Sequence, residues 1–269
     1  MRSSLLYILL MCLPLSVSLE AARPRSIQQA QNEAKSTAST EQFFDAVGEG
    51  KVDLVRKLLL ETPALSAALD KGKSTPLHIA VVNKQQEMVK FFLEKKADPN
   101  AKDEREETPL HLAVYWKAST ETIIELLLAA NANPNAANYK GDTPLHLTGS
   151  ESVTKLLFSK GANAEARNED GSTPLHEAAS FGRDGVVRIL LKNKAPVNAI
   201  DNDGNTPLHL VVDSVSEDRR WIKDIAEILL ANKADPNAKN QSGRTPLKMA
   251  LEHKDKETSD LLRRNGAKE

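Results

Sequence analysis

Thr173-Pro174-Leu175-His176 is the stretch whose reading fixes the fold. The same four residues stand at 75–78, 108–111, 143–146 and 206–209, and a sixth copy ends in lysine, Thr245-Pro246-Leu247-Lys248. Successive threonines lie 33, 35, 30, 33 and 39 residues apart. A period near 33 belongs to a stacked array of similar units rather than to one closed core. Each copy is also a local helix start. Threonine can accept bonds from first-turn amides, proline fits the first helical position without losing a partner, and leucine begins the buried face.

A second marker follows each tetrapeptide: Ala97-Asp98-Pro99-Asn100, Ala132-Asn133-Pro134-Asn135, Ala162-Asn163-Ala164-Glu165, Ala195-Pro196-Val197-Asn198 and Ala234-Asp235-Pro236-Asn237. From the last residue of each marker to the next threonine the distance is always 8, whereas from each threonine to its own marker it is 25, 27, 22, 25 and 31. Length therefore varies only inside the helical part, and the connection between units is fixed. Gly141, Gly171, Gly204 and Gly243 fall two residues before their threonines, and Asp203-Gly204 is a strong turn dipeptide. Between the markers, apolar residues recur at three- and four-residue steps, as in Val89, Phe92 and Leu93 or Val186, Ile189 and Leu190. Leu54, Leu58 and Leu59, after Phe43, Phe44, Ala46 and Val47, form an earlier copy without the tetrapeptide. The count is about seven helix pairs, an all-α chain. Such a pair cannot bury its stripe alone, but stacking on both neighbours builds a continuous aliphatic core.

These residues carry a resemblance to the ankyrin repeat family, over about residues 40–267. The resemblance implies a solenoid of helix pairs joined by β-hairpin loops, with hairpins and first helices forming a concave face that binds partner proteins. It also implies that His78, His111, His146, His176 and His209 link units, each bonding near its threonine hydroxyl and to the adjoining hairpin backbone. The departures are specific. Lys73 and Glu106 replace the turn glycine, Thr148 and Val211 replace the usual alanine of the first helix, and Lys248 replaces histidine in a way that suits a polar end cap. The unit at Thr143 is three residues short, so its first helix or interhelical turn is expected to be clipped.

Outside the array, Leu5 to Leu19 is an almost uncharged run that reaches Glu20 after only 15 residues. That is short of the roughly 20 apolar residues a membrane span needs, and Ser16-Val17-Ser18 offers small residues where a signal peptidase reads. We expect a signal peptide at 1–18, a linker at 19–38 and the repeat domain at 39–269, in an exported, periplasmic or secreted, protein. The alternative is a tether: an uncleaved anchor, or lipid on Cys12. Cleavage after Ser18 leaves no cysteine, hence no disulfide framework.

The chain has 36 Lys+Arg against 37 Asp+Glu, so it lacks the broad basic surface that duplex nucleic acid or anionic lipid requires. Neither nucleic acid nor, once the leader is removed, a membrane is an expected partner. Five of the six histidines belong to the tetrapeptide, and the leftover His253 makes no metal site. Gly72-Lys73-Ser74 lacks the earlier glycine of a phosphate loop, and Asp201-Asn202-Asp203-Gly204-Asn205 lacks the distant glutamate of a calcium loop. No catalytic triad, cofactor fingerprint or metal set is present, so the chain reads as a non-enzyme with no cofactor; an enzyme site hidden between units is the remote alternative.

Binding residues must then come from what differs between units. Tyr115-Trp116 and Arg219-Arg220-Trp221 sit in the two lengthened units, and Tyr, Trp and Arg are the types enriched among interface anchors. Packing over exposed helix ends is the plainer role for both tryptophans. The hairpin tips supply Tyr139 and an acidic series that includes Glu106, Glu169 and Asp203, which points to a basic patch on a protein partner of a monomeric chain. Asn240-Gln241-Ser242 is the only N-glycosylation sequon and lies on a hairpin.

Overall fold

The structure is a computed structural model that describes residues 39–115, 120–214 and 220–269. The signal-peptide and linker readings, Cys12, Trp116 and Arg219 fall outside those residues. The described residues fold as seven successive helix pairs: α1 (39–48) with α2 (Val52–Glu61), α3 (Pro76–Val82) with α4 (Gln86–Glu94), α5 (Pro109–Tyr115) with α6 (Glu121–Ala129), α7 (Pro144–Leu147) with α8 (Glu151–Ser159), α9 (Pro174–Ser180) with α10 (Asp184–Lys192), α11 (Pro207–Asp213) with α12 (Arg220–Ala231), and α13 (Pro246–Glu252) with α14 (Lys256–Arg264). No strand occurs among the described residues. Each first helix from α3 onward begins at the proline of its tetrapeptide, and each second helix from α4 onward is followed by a left-handed residue that stops it: Lys96, Asn131, Gly161, Lys194, Lys233 and Gly266.

First helices stack in file from α3 to α13 and second helices from α2 to α14, so the principal contacts run within a pair or to the adjacent pair. The tetrapeptide leucines Leu77, Leu110, Leu145, Leu175, Leu208 and Leu247 are all 0–1% exposed, one to a layer. This column is the spine of a thin core that no unit could build alone. Aromatic bulk gathers at one end, where Phe43 packs edge-on against Phe44 and Phe92.

Histidine joins each layer to the next. At His78 the backbone N–H of Thr75 donates to Nδ1 at 3.1 Å, so Nδ1 carries the lone pair and Nε2 carries the proton. Nε2 then donates to the carbonyl of Glu107 in the next hairpin, at 3.1 Å. The arrangement recurs from His111 to Asp142 O, His146 to Ser172 O, His176 to Asn205 O and His209 to Arg244 O, at 3.0–3.1 Å. All five rings are buried, and burial pushes each below its ordinary pKa.

A second joint uses the asparagine of the Ala-x-x-Asn marker. Asn100 donates its amide to Asn131 O and accepts from the N–H of Asn133. Asn135, Asn198 and Asn237 make the same pair of bonds to the following unit. One joint breaks the series. Glu165 stands where the asparagine should be, and the residue opposite is Pro196, which has no N–H to give.

The same unit is the short one. Its first helix, α7, is a single turn of 4 residues where the other tetrapeptide helices have 7. The carbonyls of His146, Leu147 and Thr148 accept from one Nη of Arg183, at 3.3, 3.2 and 2.9 Å. Arg183 is fixed in turn by the Phe181 ring, 4.8 Å from its guanidinium. A cation from the next unit thus fills the place of the missing helical turn and satisfies carbonyls that would otherwise lie unpaired.

Candidate protein-interaction surface

Every hairpin is organised by an Asp or Asn five residues before the threonine. Asp70, Asp103, Asn138, Asn168, Asp201 and Asn240 each accept, on one side-chain oxygen, the backbone N–H groups two and four residues on. Two backbone bonds close each turn, such as Asn138 N to Asp142 O and Gly141 N to Asn138 O. Neighbouring tips are tied by one backbone bond apiece, from Glu104 N to Gly72 O through Gln241 N to Asp203 O, and side-chain amides add to it at the later tips. These turns account for several sequence fragments. The amides of Gly72 and Ser74 are held by Asp70, and the carboxylate of Asp201 is held by Asp203 and Asn205. In the sequon, Asn240 is 7% exposed and its amide donates to Asn205 Oδ1, so the nitrogen a glycan needs is already spent.

The turn geometry explains glycine at Gly141, Gly171 and Gly204, where a Cβ would crowd the next hairpin, but not at Gly243, where the space is open. At Gly141 the backbone φ is +75°, and a Cβ would meet Asn168 Cα at 2.9 Å. Lys73 and Glu106 adopt the same left-handed backbone, φ +59° and +55°, with a side chain in place.

Of the expected binding residues, Tyr115 ends α5 and is 67% exposed; Arg220 opens α12 and is exposed. Trp221 is half-buried against the core, its ring facing Gly182 so closely that a Cβ there would lie 3.1 Å from it. Glu106 pairs with Lys102 at 2.9 Å, and Glu169 and Asp203 stand exposed on their tips. Tyr139, at 49% exposure, forms one wall of a cleft of about 340 Å³ whose other walls are Lys140, Asp142, Asn168, Glu169, Asp170 and Glu177. Tyr139 and Glu169 are therefore brought together, while Tyr115, Trp221, Glu106 and Asp203 do not line this cleft.

Glu177 is the residue that sequence reasoning missed. Burial, then the nearby Asp142 carboxylate, pushes its pKa above the ordinary value, and Arg183 pulls the other way. A signal existed: the position after the histidine is Ile79, Leu112, Leu147 and Leu210 in the other intact units, and only here a carboxylate. Phe181, 63% exposed at the end of α9, and Val82 at the end of α3 were also passed over, as ordinary helix-end residues.

Among the described residues, no group of three or more His, Cys, Asp or Glu is placed to hold a metal, and no helix is long and apolar enough to cross a membrane. Family models describing ankyrin repeats match residues 32–103 and 147–240, in sets of three copies, and a single-repeat model matches 105–139. The chain belongs to the ankyrin repeat family. The matched ranges span most of the described array, and beyond residue 240 α13 and α14 repeat the same helix pair. No curated protein matches the chain. Ankyrin repeats generally mediate protein–protein interaction and are typically scaffolds rather than enzymes, a character in keeping with histidines that are bound at both ring nitrogens.

Proposed function

We propose that this ankyrin-repeat chain is an exported, non-enzymatic protein that binds another protein through its hairpin tips and first helices. The observation that carries the reading is the cleft at Tyr139. There an exposed aromatic wall faces four carboxylates, those of Asp142, Glu169, Asp170 and Glu177, with Lys140 the one cation on its lining. Lys140 Nζ already lies over the ring at 5.7 Å, and an arginine or lysine of a partner would add to it by meeting the surplus carboxylates and relieving the half-buried Glu177. Exposed Tyr115 and Phe181 supply apolar area on the first helices. Because turns and helices hold these groups before contact, little ordering entropy is lost on association. Export rests on the leader, Leu5 to Leu19 with Ser16-Val17-Ser18.

Affinity capture from the native extracytoplasmic fraction, with Glu169→Lys/Glu177→Lys as the paired bait, tests the binding mode. The partner retained by the native chain should be lost from the variant. Equal recovery on both baits would remove the acidic cleft from the interface. Mass spectrometry of the mature N-terminus separates export from tethering: a chain beginning near Leu19 is expected, and one retaining Leu5 or a lipidated Cys12 would replace this reading with a membrane-attached scaffold.

A further inference from the structure

The first unit differs from the others in a way that leaves a groove. At four later joints an asparagine bridges the loop of one unit to the carbonyl and N–H of the next. The residue in register in the first unit is Ala67, on the short 3₁₀ helix Pro63–Ala67, which has no amide to offer. The groups that would receive it are Lys96 O and Asp98 N–H. Beside this unbridged joint lies a cleft of about 500 Å³ between α2 and α4. Its floor is apolar, with Leu59, Leu60 and Pro63 on one side and the edges of Phe91 and Phe92 on the other. Leu60 is 84% exposed, the most exposed large apolar side chain among the described residues. Its charged lining residues are all cations: Arg56, which lies over the Phe91 ring at 4.7 Å, with Lys95 and Lys96.

We infer that this groove is a second docking site, separate from the hairpin face, for an acidic amphipathic protein segment. Apolar side chains of the segment sit on Leu59, Leu60 and Phe91. Its carboxylates meet Arg56, Lys95 and Lys96, the charge complement of a cleft lining that holds no acid. An open trough with a leucine standing on its edge suits a peptide better than a free acyl chain, since small-ligand sites enclose most of their ligand.

The test is a display selection of 16-residue peptides on the full chain, followed by fluorescence anisotropy of the winners. Leu60→Asp is the principal variant, because a side chain so exposed can change without loss of fold; unchanged thermal unfolding verifies this. Selected peptides should be rich in Glu or Asp beside Leu or Phe. Their affinity should fall at least tenfold with Leu60→Asp and with Lys95→Glu/Lys96→Glu, and stay the same with Glu169→Lys/Glu177→Lys. Basic winners, or winners indifferent to Leu60→Asp, would overturn the assignment. So would tight binding of dodecanoate with no peptide selected, or self-association of the chain abolished by Leu60→Asp, which would make the occupant an amphiphile or a second copy. The hairpin-face reading survives any of these results, since its own variant is scored separately.

Discussion

Two kinds of joint tie neighbouring units together, and they differ in how much they ask of the sequence. The histidine joint spends one side chain on two backbone partners, a threonine N–H and a carbonyl of the next hairpin, and it is present at all five places where the tetrapeptide is intact. The asparagine joint needs an amide in one unit and an N–H at a particular residue of the next, so it fails where Glu165 meets Pro196. That failure falls on the short unit, where α7 is one turn long and Arg183 reaches across from the following unit. The middle of the array thus relies on His146 and Arg183, while the other four joints that carry a linking histidine have asparagine in parallel.

The largest consequence is collective. Burial lowers the folded pKa of all five linking histidines from 6.5, so the unfolded chain takes up protons more readily over the interval between the folded values and 6.5. Their contribution is complete above pH 6.5 and is lost as pH falls through the folded values. Glu107 and Glu177, whose pKa values are raised, act in the opposite sense but number two against five. The urea midpoint should therefore drop between pH 7.5 and 5; a flat profile would mean that the rings titrate alike in both states.

Next in size is a comparison of single joints. His146→Ala and His111→Ala each delete a buried ring and orphan a threonine N–H and a carbonyl, at a cost of about 3 kcal/mol. With no asparagine bond in parallel, His146→Ala should cost roughly 1 kcal/mol more than His111→Ala and should let the two sides unfold in separate steps by hydrogen exchange. Equal losses with one cooperative transition would erase the distinction. Arg183→Met keeps most of the bulk but removes the donor to three carbonyls, and chemical denaturation should register a loss of about 2 kcal/mol. Repair is the smallest effect. Glu165→Asn with Pro196→Asp recreates the sequence of an intact joint and should raise stability by about 1 kcal/mol, whereas either change alone should gain little.

Much of this was legible in the chain because the features are periodic. The tetrapeptides give the helix starts, the constant step of 8 residues gives the hairpins, and the missing three residues at Thr143 announce the clipped α7. What was not legible depends on contacts between units. Arg183 looks like any polar residue at a helix boundary until the carbonyls of α7 are seen beside it. The acidic tips look alike in sequence, yet Asp103 and Asp201 are occupied as turn acceptors while Glu169 and Asp203 stand outward. Lys73 and Glu106 depart from the turn rule in sequence, but the backbone keeps its left-handed form there and these residues accept the strain.

The histidines can be asked directly whether they pin units or do chemistry. Nitrogen-15 NMR of the imidazoles should give five neutral rings protonated at Nε2 alone at pH 7, and the same five should stay neutral as the pH falls just below 6.5. A linking ring found in the Nδ1–H form, or gaining its proton at an ordinary pKa, would contradict the account.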